Sequence, residues 1–187
     1  MKKLFFVTTN QFKYDQFCQT VLPLPGFEIH RLNQETVEIQ AQTNEEVALH
    51  SAIQAAKDTG EIVITEDVGL FIDALNGFPG VYLKDMETML GADGFLKLMA
   101  NKTSRQAYWC YSVAIAEPTG QAAVFSTQLD GTIANRKLGS GGWEIDQIFI
   151  AKGKTQTIAQ ELETGVYVRN NDHYKQLKDY LIRLKAA

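Results

Sequence analysis

The chain alternates short apolar blocks with polar punctuation, and the spacing of those blocks predicts most of its elements. Lys3 to Val7 is an apolar run that ends at Thr8-Thr9-Asn10, and an amphipathic stretch follows from Phe12 to about Val21, a strand–loop–helix pattern. Pro23, Pro25 and Gly26 mark the exit, and Phe27 to Leu32 alternates weakly as a second strand. Thr43-Asn44-Glu45-Glu46 has the spacing of a capping box, in which Thr43 accepts from the Glu46 amide and the Glu46 side chain reaches back. Val47, Ala48, Ala52, Ile53, Ala55 and Ala56 then line one helix that Gly60 can end in the left-handed conformation. Ile62-Val63-Ile64-Thr65 follows as a strand apolar on both sides, which predicts a central place in a sheet covered on both faces. Glu66-Asp67 is expected at its end.

Phe71 to Leu75 can continue extended, and Asn76-Gly77 and Pro79-Gly80 are two turn signals in quick succession. From about Lys84 to Ala100 the pattern is helical, broken near Gly91 and Gly94. Ala107 to Ala116 and Ala122 to Leu129 are β-rich runs joined by Glu117-Pro118-Thr119-Gly120, the signature of a hairpin. Ile148 to Ile150 reads as a short strand. Apolar residues at 174, 177, 180, 181 and 184 give Tyr174 to Leu184 one buried helical face. The order is mixed α/β. With four prolines and no repeat, linker or low-complexity segment, residues 1–187 are expected to form a single domain.

Composition narrows the class of partner. The chain is 45% hydrophobic and 21% charged, ordinary values for a globular protein, and its net charge of −4 comes without any basic run. Electrostatic binding to a nucleic-acid polymer or to anionic membrane is therefore not expected. Met1-Lys2-Lys3 followed by apolar residues imitates a secretory opening, but the run stops short of the roughly seven residues such a segment needs. No stretch approaches the ~20 apolar residues of a membrane span, so the reading is a cytoplasmic protein with no membrane partner. Two cysteines, Cys18 and Cys110, make no disulfide framework and read as small buried apolar residues in a reducing compartment.

Two places carry candidate chemistry. Thr8-Thr9-Asn10-Gln11-Phe12-Lys13 lies where a strand runs into a helix, and free amides with a positive dipole end favour phosphate there, with Lys13 one turn in as a mobile cation. The plainer alternative is that Asn10 caps the helix and Lys13 is solvated. The second place is Glu66-Asp67, with Glu38 upstream and Asp73 downstream. Adjacent residues of an extended chain point to opposite faces, so Glu66 and Asp67 share one pocket only if the chain turns there, and Gly69 permits such a turn. Converging carboxylates would hold Mg²⁺, which takes oxygen ligands and keeps waters; the plainer alternative is a turn former or helix cap. Together the two places supply what a magnesium–triphosphate enzyme needs, cations for phosphate and carboxylates for metal and water. The three histidines, His30, His50 and His173, are isolated in sequence, no CxxC pair suggests zinc, and no nucleophilic triad is in evidence.

These residues resemble the inosine triphosphate pyrophosphatase family, the non-canonical purine NTP pyrophosphatases. Its opening T-x-N-x-x-K is matched by Thr8, Asn10 and Lys13, and its central signature by the run Thr65-Glu66-Asp67-Val68-Gly69-Leu70 through Asn76-Gly77-Phe78-Pro79-Gly80-Val81-Tyr82. The resemblance is collinear from residue 3 to about 180 and implies a mixed central sheet with flanking helices, two lobes around a nucleotide cleft, and a homodimer. It implies hydrolysis of a nucleoside triphosphate to the monophosphate and pyrophosphate, with water attacking the α-phosphorus and Mg²⁺ required. By the same resemblance Thr8, Asn10 and Lys13 contact the triphosphate. Glu38, in Val37-Glu38-Ile39-Gln40, matches a metal-binding glutamate. Glu66 and Asp67 match the acidic pair that binds metal and activates water, with Asp67 as the base.

Departures gather where the family reads the base. Its aromatic-Gly-aromatic-Asp-Pro motif is represented by Trp143-Glu144-Ile145-Asp146-Gln147, which keeps an aromatic to stack on a base and the aspartate but brings Glu144, Ile145 and Gln147. Those side chains are expected to change pocket shape and polarity. The family's Ser-His-Arg is absent; Asn171-Asp172-His173 or His173-Tyr174-Lys175 stands in its place, the second register taking Arg169 as the upstream cation. Arg169 and His173 are thus the remaining candidates for base contact, and a site built on hydrogen bonds discriminates by which ones it can make. A nucleotide-binding module without turnover is the other reading the altered pocket allows.

Overall fold

The computed structural model describes residues 1–186. In chain order β1 is Lys2–Val7, α1 Gln11–Val21, β2 Phe27–Leu32, α2 Asn44–Thr59 and β3 Val63–Ile72. A short 3₁₀ turn, Asp73–Leu75, leads to β4 at Pro79–Gly80 and α3 at Leu83–Leu98. Then come β5 Gln106–Ala116, β6 Ala122–Ile133, a 3₁₀ turn Glu144–Gln147, β7 Phe149–Ala151, α4 Ile158–Glu163 and α5 Asp172–Ala186. The seven strands form one sheet in the order β2-β1-β3-β5-β6-β7, with β4 paired to β3. β1 runs parallel to β2 and β3, while β3–β4 and β6–β7 are antiparallel, so the mixed α/β sheet expected from sequence is present.

The chain gathers into two compact units. The first holds Met1–Asp67, Tyr111–Thr127 and the C-terminal segment from Asn171; the second holds Val68–Cys110 and Gln128–Asn170. In the first unit the period-two alternation of the strands sorts side chains onto two faces. Leu4 and Phe6 of β1, Ile64 of β3 and Val113 and Ile115 of β5 pack with Phe17 and Val21 of α1 and Tyr174, Leu177 and Leu181 of α5. Val7, Val63, Ala114 and Ala116 pack on the other face with Ala48, Ala52 and Ala56 of α2, whose small side chains at every fourth position let helix and sheet approach closely. Each large apolar side chain sealed this way contributes about 1.5 to 3 kcal/mol. The α2 capping box forms as its spacing predicts: Thr43 Oγ1 accepts from the Glu46 amide, Glu46 Oε2 accepts from the Thr43 amide, and Gly60 closes the helix at φ +70°.

The second unit buries Leu70, Leu83, Phe95, Trp109, Ile145, Ile148, Phe149 and Ile158, with the Trp109 and Phe149 rings 5.9 Å apart. Helix α3 breaks at Gly91, as the glycines predict, whose φ of +57° and ψ of 179° are not helical. Besides β3, three elements differ from expectation. β6 runs on to Ile133, α4 has no counterpart in the sequence reading, and Pro79-Gly80 serves as the two-residue β4, paired with Leu70 and Phe71, besides being a turn. Cys18 and Cys110 are half-buried and not disulfide-linked. Among the described residues no helix is long and apolar enough to cross a membrane.

The largest correction concerns β3. Glu66 and Asp67 lie inside a ten-residue strand, which passes through Gly69 without turning. Alternation therefore continues across them. Glu66 falls on the face of Ile64, towards α1 and α5, and Asp67 on the face of Val63, towards α2.

Candidate active site

The entrance to α1 is built from its own first residues. Asn10 is extended, at φ −84° and ψ 109°, and its Oδ1 accepts the Lys13 amide at 3.3 Å, while its own N–H donates to Thr8 Oγ1 at 3.1 Å. Asn10 thus caps the helix. The first turn of α1 contains no acidic residue, so nothing in it opposes the positive dipole end. Arg31 of β2 supports this loop from behind: its Nε donates to the Thr8 carbonyl at 3.1 Å, one Nη to the Thr9 carbonyl at 2.6 Å, and the other Nη to Gln11 Oε1. Arg31 thus ties down those carbonyls and brings a positive charge behind the loop.

Lys13 is not solvated. Its Nζ lies 3.5 Å from Glu66 Oε2 and donates to the Glu66 carbonyl at 3.3 Å. The Glu66 carboxylate is wholly buried, a position that needs partners, because an isolated buried charge is costly by many kcal/mol. Its second oxygen, Oε1, is met by His173 Nε2 at 3.0 Å. An ionised carboxylate only accepts, so Nε2 carries the hydrogen. His173 is itself 0% exposed, at the start of α5, with its ring 5.7 Å from that of Tyr111 and 4.0 Å from that of Tyr174. The sequence pattern assigned it to base contact; it has no exposed surface and is spent on Glu66.

On the opposite face of β3, Asp67 Oδ2 accepts from the Asn44 side-chain amide. Asn44 opens α2 and is fully buried, and Thr65, two residues earlier on the same face, donates to the Ala48 carbonyl at 2.8 Å. Both acidic residues are thus held by helices, Glu66 by α1 and α5 and Asp67 by α2. Glu38 lies exposed between β2 and α2, in a segment fastened where Ser51 Oγ donates to the Val37 carbonyl. Among the described residues no three His, Cys, Asp or Glu side chains converge as metal ligands.

In the second unit the acids of the segment around Trp143 accept from backbone amides. Trp143 keeps 38% of its surface exposed and has its ring 6.1 Å from Trp109. Asp146 Oδ2 accepts the Trp143 amide at 2.8 Å. Burial pushes the Asp146 carboxyl up to about 6; the Trp143 N–H pulls against this, the Glu87 carboxylate adds to it, and Arg169 opposes it. Glu144, itself exposed, reaches to α3. Its Oε2 accepts the Ala92 amide at 3.2 Å, just past the α3 break, and occupies the space that any side chain at Gly91 would need. Glu87 likewise accepts the Ile145 amide at 3.1 Å, and burial raises its carboxyl. The other residues of the two registers belong to the first unit: Asn171 donates to Gln16 and Thr20 on α1, and Lys175 pairs with Asp172.

Of the expected site residues the structure brings together Asn10, Thr8 and Lys13, then Lys13, Glu66 and His173. Asp146 lies within electrostatic reach of Arg169. The sequence reading missed Arg31, Asn44 and Glu87. Arg31 sits on a weakly alternating strand and Asn44 inside a capping box that explains itself locally, so neither gave a signal.

Comparisons with known proteins place the chain in a family. A family model described as the Ham1 family matches residues 4–165. A Methanopyrus kandleri protein named dITP/XTP pyrophosphatase is 37% identical over 158 residues, covering 84% of each chain. A Thermococcus kodakarensis protein of the same name is 36% identical over 183 residues, covering 98% of this chain and 97% of its own. The solved structure of the Staphylococcus aureus Ham1 protein superposes with a TM-score of 0.78 at 26% identity, covering 95% of this chain and 97% of the other. With a matched model that takes in the α1 entrance, both acidic residues of β3 and the Trp143 segment, this chain belongs to the Ham1 family.

Proposed function

We propose that this chain hydrolyses nucleoside triphosphates to monophosphates and pyrophosphate, acting on deaminated purine nucleotides such as dITP, ITP and XTP. One observation carries the reading: a buried carboxylate, Glu66, is paired to Lys13 beside a helix entrance free of acids, in a chain whose relatives bear the name dITP/XTP pyrophosphatase. In this reading the triphosphate sits on the amides at the start of α1, with Thr8, Asn10 and Lys13 around its oxygens. Asp67, held by Asn44, accepts the proton of the water that attacks the α-phosphorus, and the P–O bond to pyrophosphate breaks. Trp143 stacks on the base, and Asp146 and Arg169 stand at its polar edge.

Glu66 and Asp67 lie on opposite faces of β3 and do not converge with Glu38 among the described residues, so the Mg²⁺ of this proposal would be held by one carboxylate and the substrate's own phosphates. When bound it neutralises phosphate charge. Cytoplasmic location and a homodimer belong to the same proposal, the latter supported by the family resemblance alone. The test is a pyrophosphate-release screen with Mg²⁺ across canonical and deaminated triphosphates. Release from dITP and XTP well above dATP and dGTP is expected; no release from any of them overturns the reading. Nucleotide binding by calorimetry without release would instead make the chain a binding module.

A further inference from the structure

Glu66 is held at both oxygens, but by groups of different kinds. Lys13 stands at the edge of the site, 16% exposed, and in the proposed reaction it also faces a polyanion. A cation shared in that way cannot by itself fix a carboxylate. His173 is not shared. It is fully buried, its Nε2 is 3.0 Å from Glu66 Oε1, and its Nδ1 has no hydrogen-bond partner. Tyr111 and Tyr174 pack against the ring and set its plane. Tyr174 is in turn locked edge-on against Phe17 of α1 at 5.4 Å, within the apolar cluster that seats α5 on the sheet. The ring is thus held on a rigid mount with Nε2 aimed at one oxygen of one carboxylate.

We propose that His173 is a positioning residue of the hydrolytic centre: it keeps the Glu66 carboxylate in one orientation while Lys13 engages the substrate. Groups that orient an acidic residue in this way typically change activity by about 10- to 100-fold when lost, without touching the substrate. The inference rests on the function proposed above and concerns a residue 107 positions away from its partner in sequence.

The test uses the full-length protein, Mg²⁺ and dITP. His173→Phe keeps an aromatic plate between Tyr111 and Tyr174 but removes the donor; His173→Gln restores a neutral N–H donor. The Phe variant is expected to lose about tenfold or more in kcat with KM nearly unchanged, and the Gln variant to return to within about threefold of wild type. A Phe variant within about twofold of wild type, or a Gln variant as impaired as the Phe one, overturns the proposal. A second arm needs no turnover and no folded variant at 173. Long-range ¹H–¹⁵N spectra of the histidine rings should show His173 protonated at Nε2, with that signal moving in Glu66→Gln. A ring protonated at Nδ1, or one indifferent to Glu66→Gln, overturns it. Wild-type protein that releases no pyrophosphate would remove the functional reading, and the spectra would still decide the Glu66–His173 contact.

Discussion

The two units each gather acidic side chains, and they treat them in opposite ways. In the first, Glu66 is buried against a lysine and a histidine, and Asp67 against an asparagine amide, all from other elements. In the second, Glu87, Glu144 and Asp146 accept from backbone amides of α3 and of the Trp143 segment. Arg169 opposes the repulsion from Glu87 at Asp146, whose carboxyl still rises to about 6. Charge against charge makes a place where a polyanion and a cation can be exchanged; charge against amide makes a clamp. The first arrangement suits chemistry and the second suits shape, which is why the departures from the family motif at Glu144 and Ile145 fall in a segment that is stitched together internally.

The contrast predicts a graded set of losses. Lys13→Met removes the cation from the buried Glu66 carboxylate, and breaking a buried pair from one side costs about 3 kcal/mol. Urea unfolding should show a midpoint lowered accordingly, and an unchanged midpoint would mean that the Lys13 pair contributes nothing to stability. Asp146 comes next. Its folded value of about 6 lies above the ordinary 3.8, so the folded chain binds this proton more tightly than the unfolded one. Stability therefore falls as pH rises from about 4 to about 6 and stays lower above that. Asp146→Asn keeps an oxygen for the Trp143 N–H and cannot ionise. It should match wild type below about pH 4 and exceed it at about pH 7 by about 2 kcal/mol, allowing for the part of the carboxyl that meets solvent, as read from melting curves across pH. The smallest effect belongs to Glu144→Ala, which removes the acceptor for the Ala92 amide and should cost about 1 kcal/mol with kcat unchanged.

Elements defined by contacts within one or two turns were legible in the sequence. The α2 capping box and the Asn10 cap depend on residues three apart and the break at Gly91 on one glycine, and all three are present. β3 was not legible at its middle. Two adjacent acids read as the end of a strand, and the strand continues through them because their partners arrive from elsewhere: Asn44 from 23 positions away, Lys13 from 53 and His173 from 107. The same distance hid the role of His173, which looked isolated. α4 escaped because a six-residue helix carries too little periodicity to register. Within the candidate site the residue types were readable and their division between two faces of one strand was not, since alternation predicts that division only once the strand is known to be unbroken.

Hydrolysis of dITP in H₂¹⁸O, with both products weighed by mass spectrometry, tests the central claim that the first unit directs water to the α-phosphorus. The label is predicted in the monophosphate and not in pyrophosphate. Label in pyrophosphate, or phosphate released one group at a time, would contradict it.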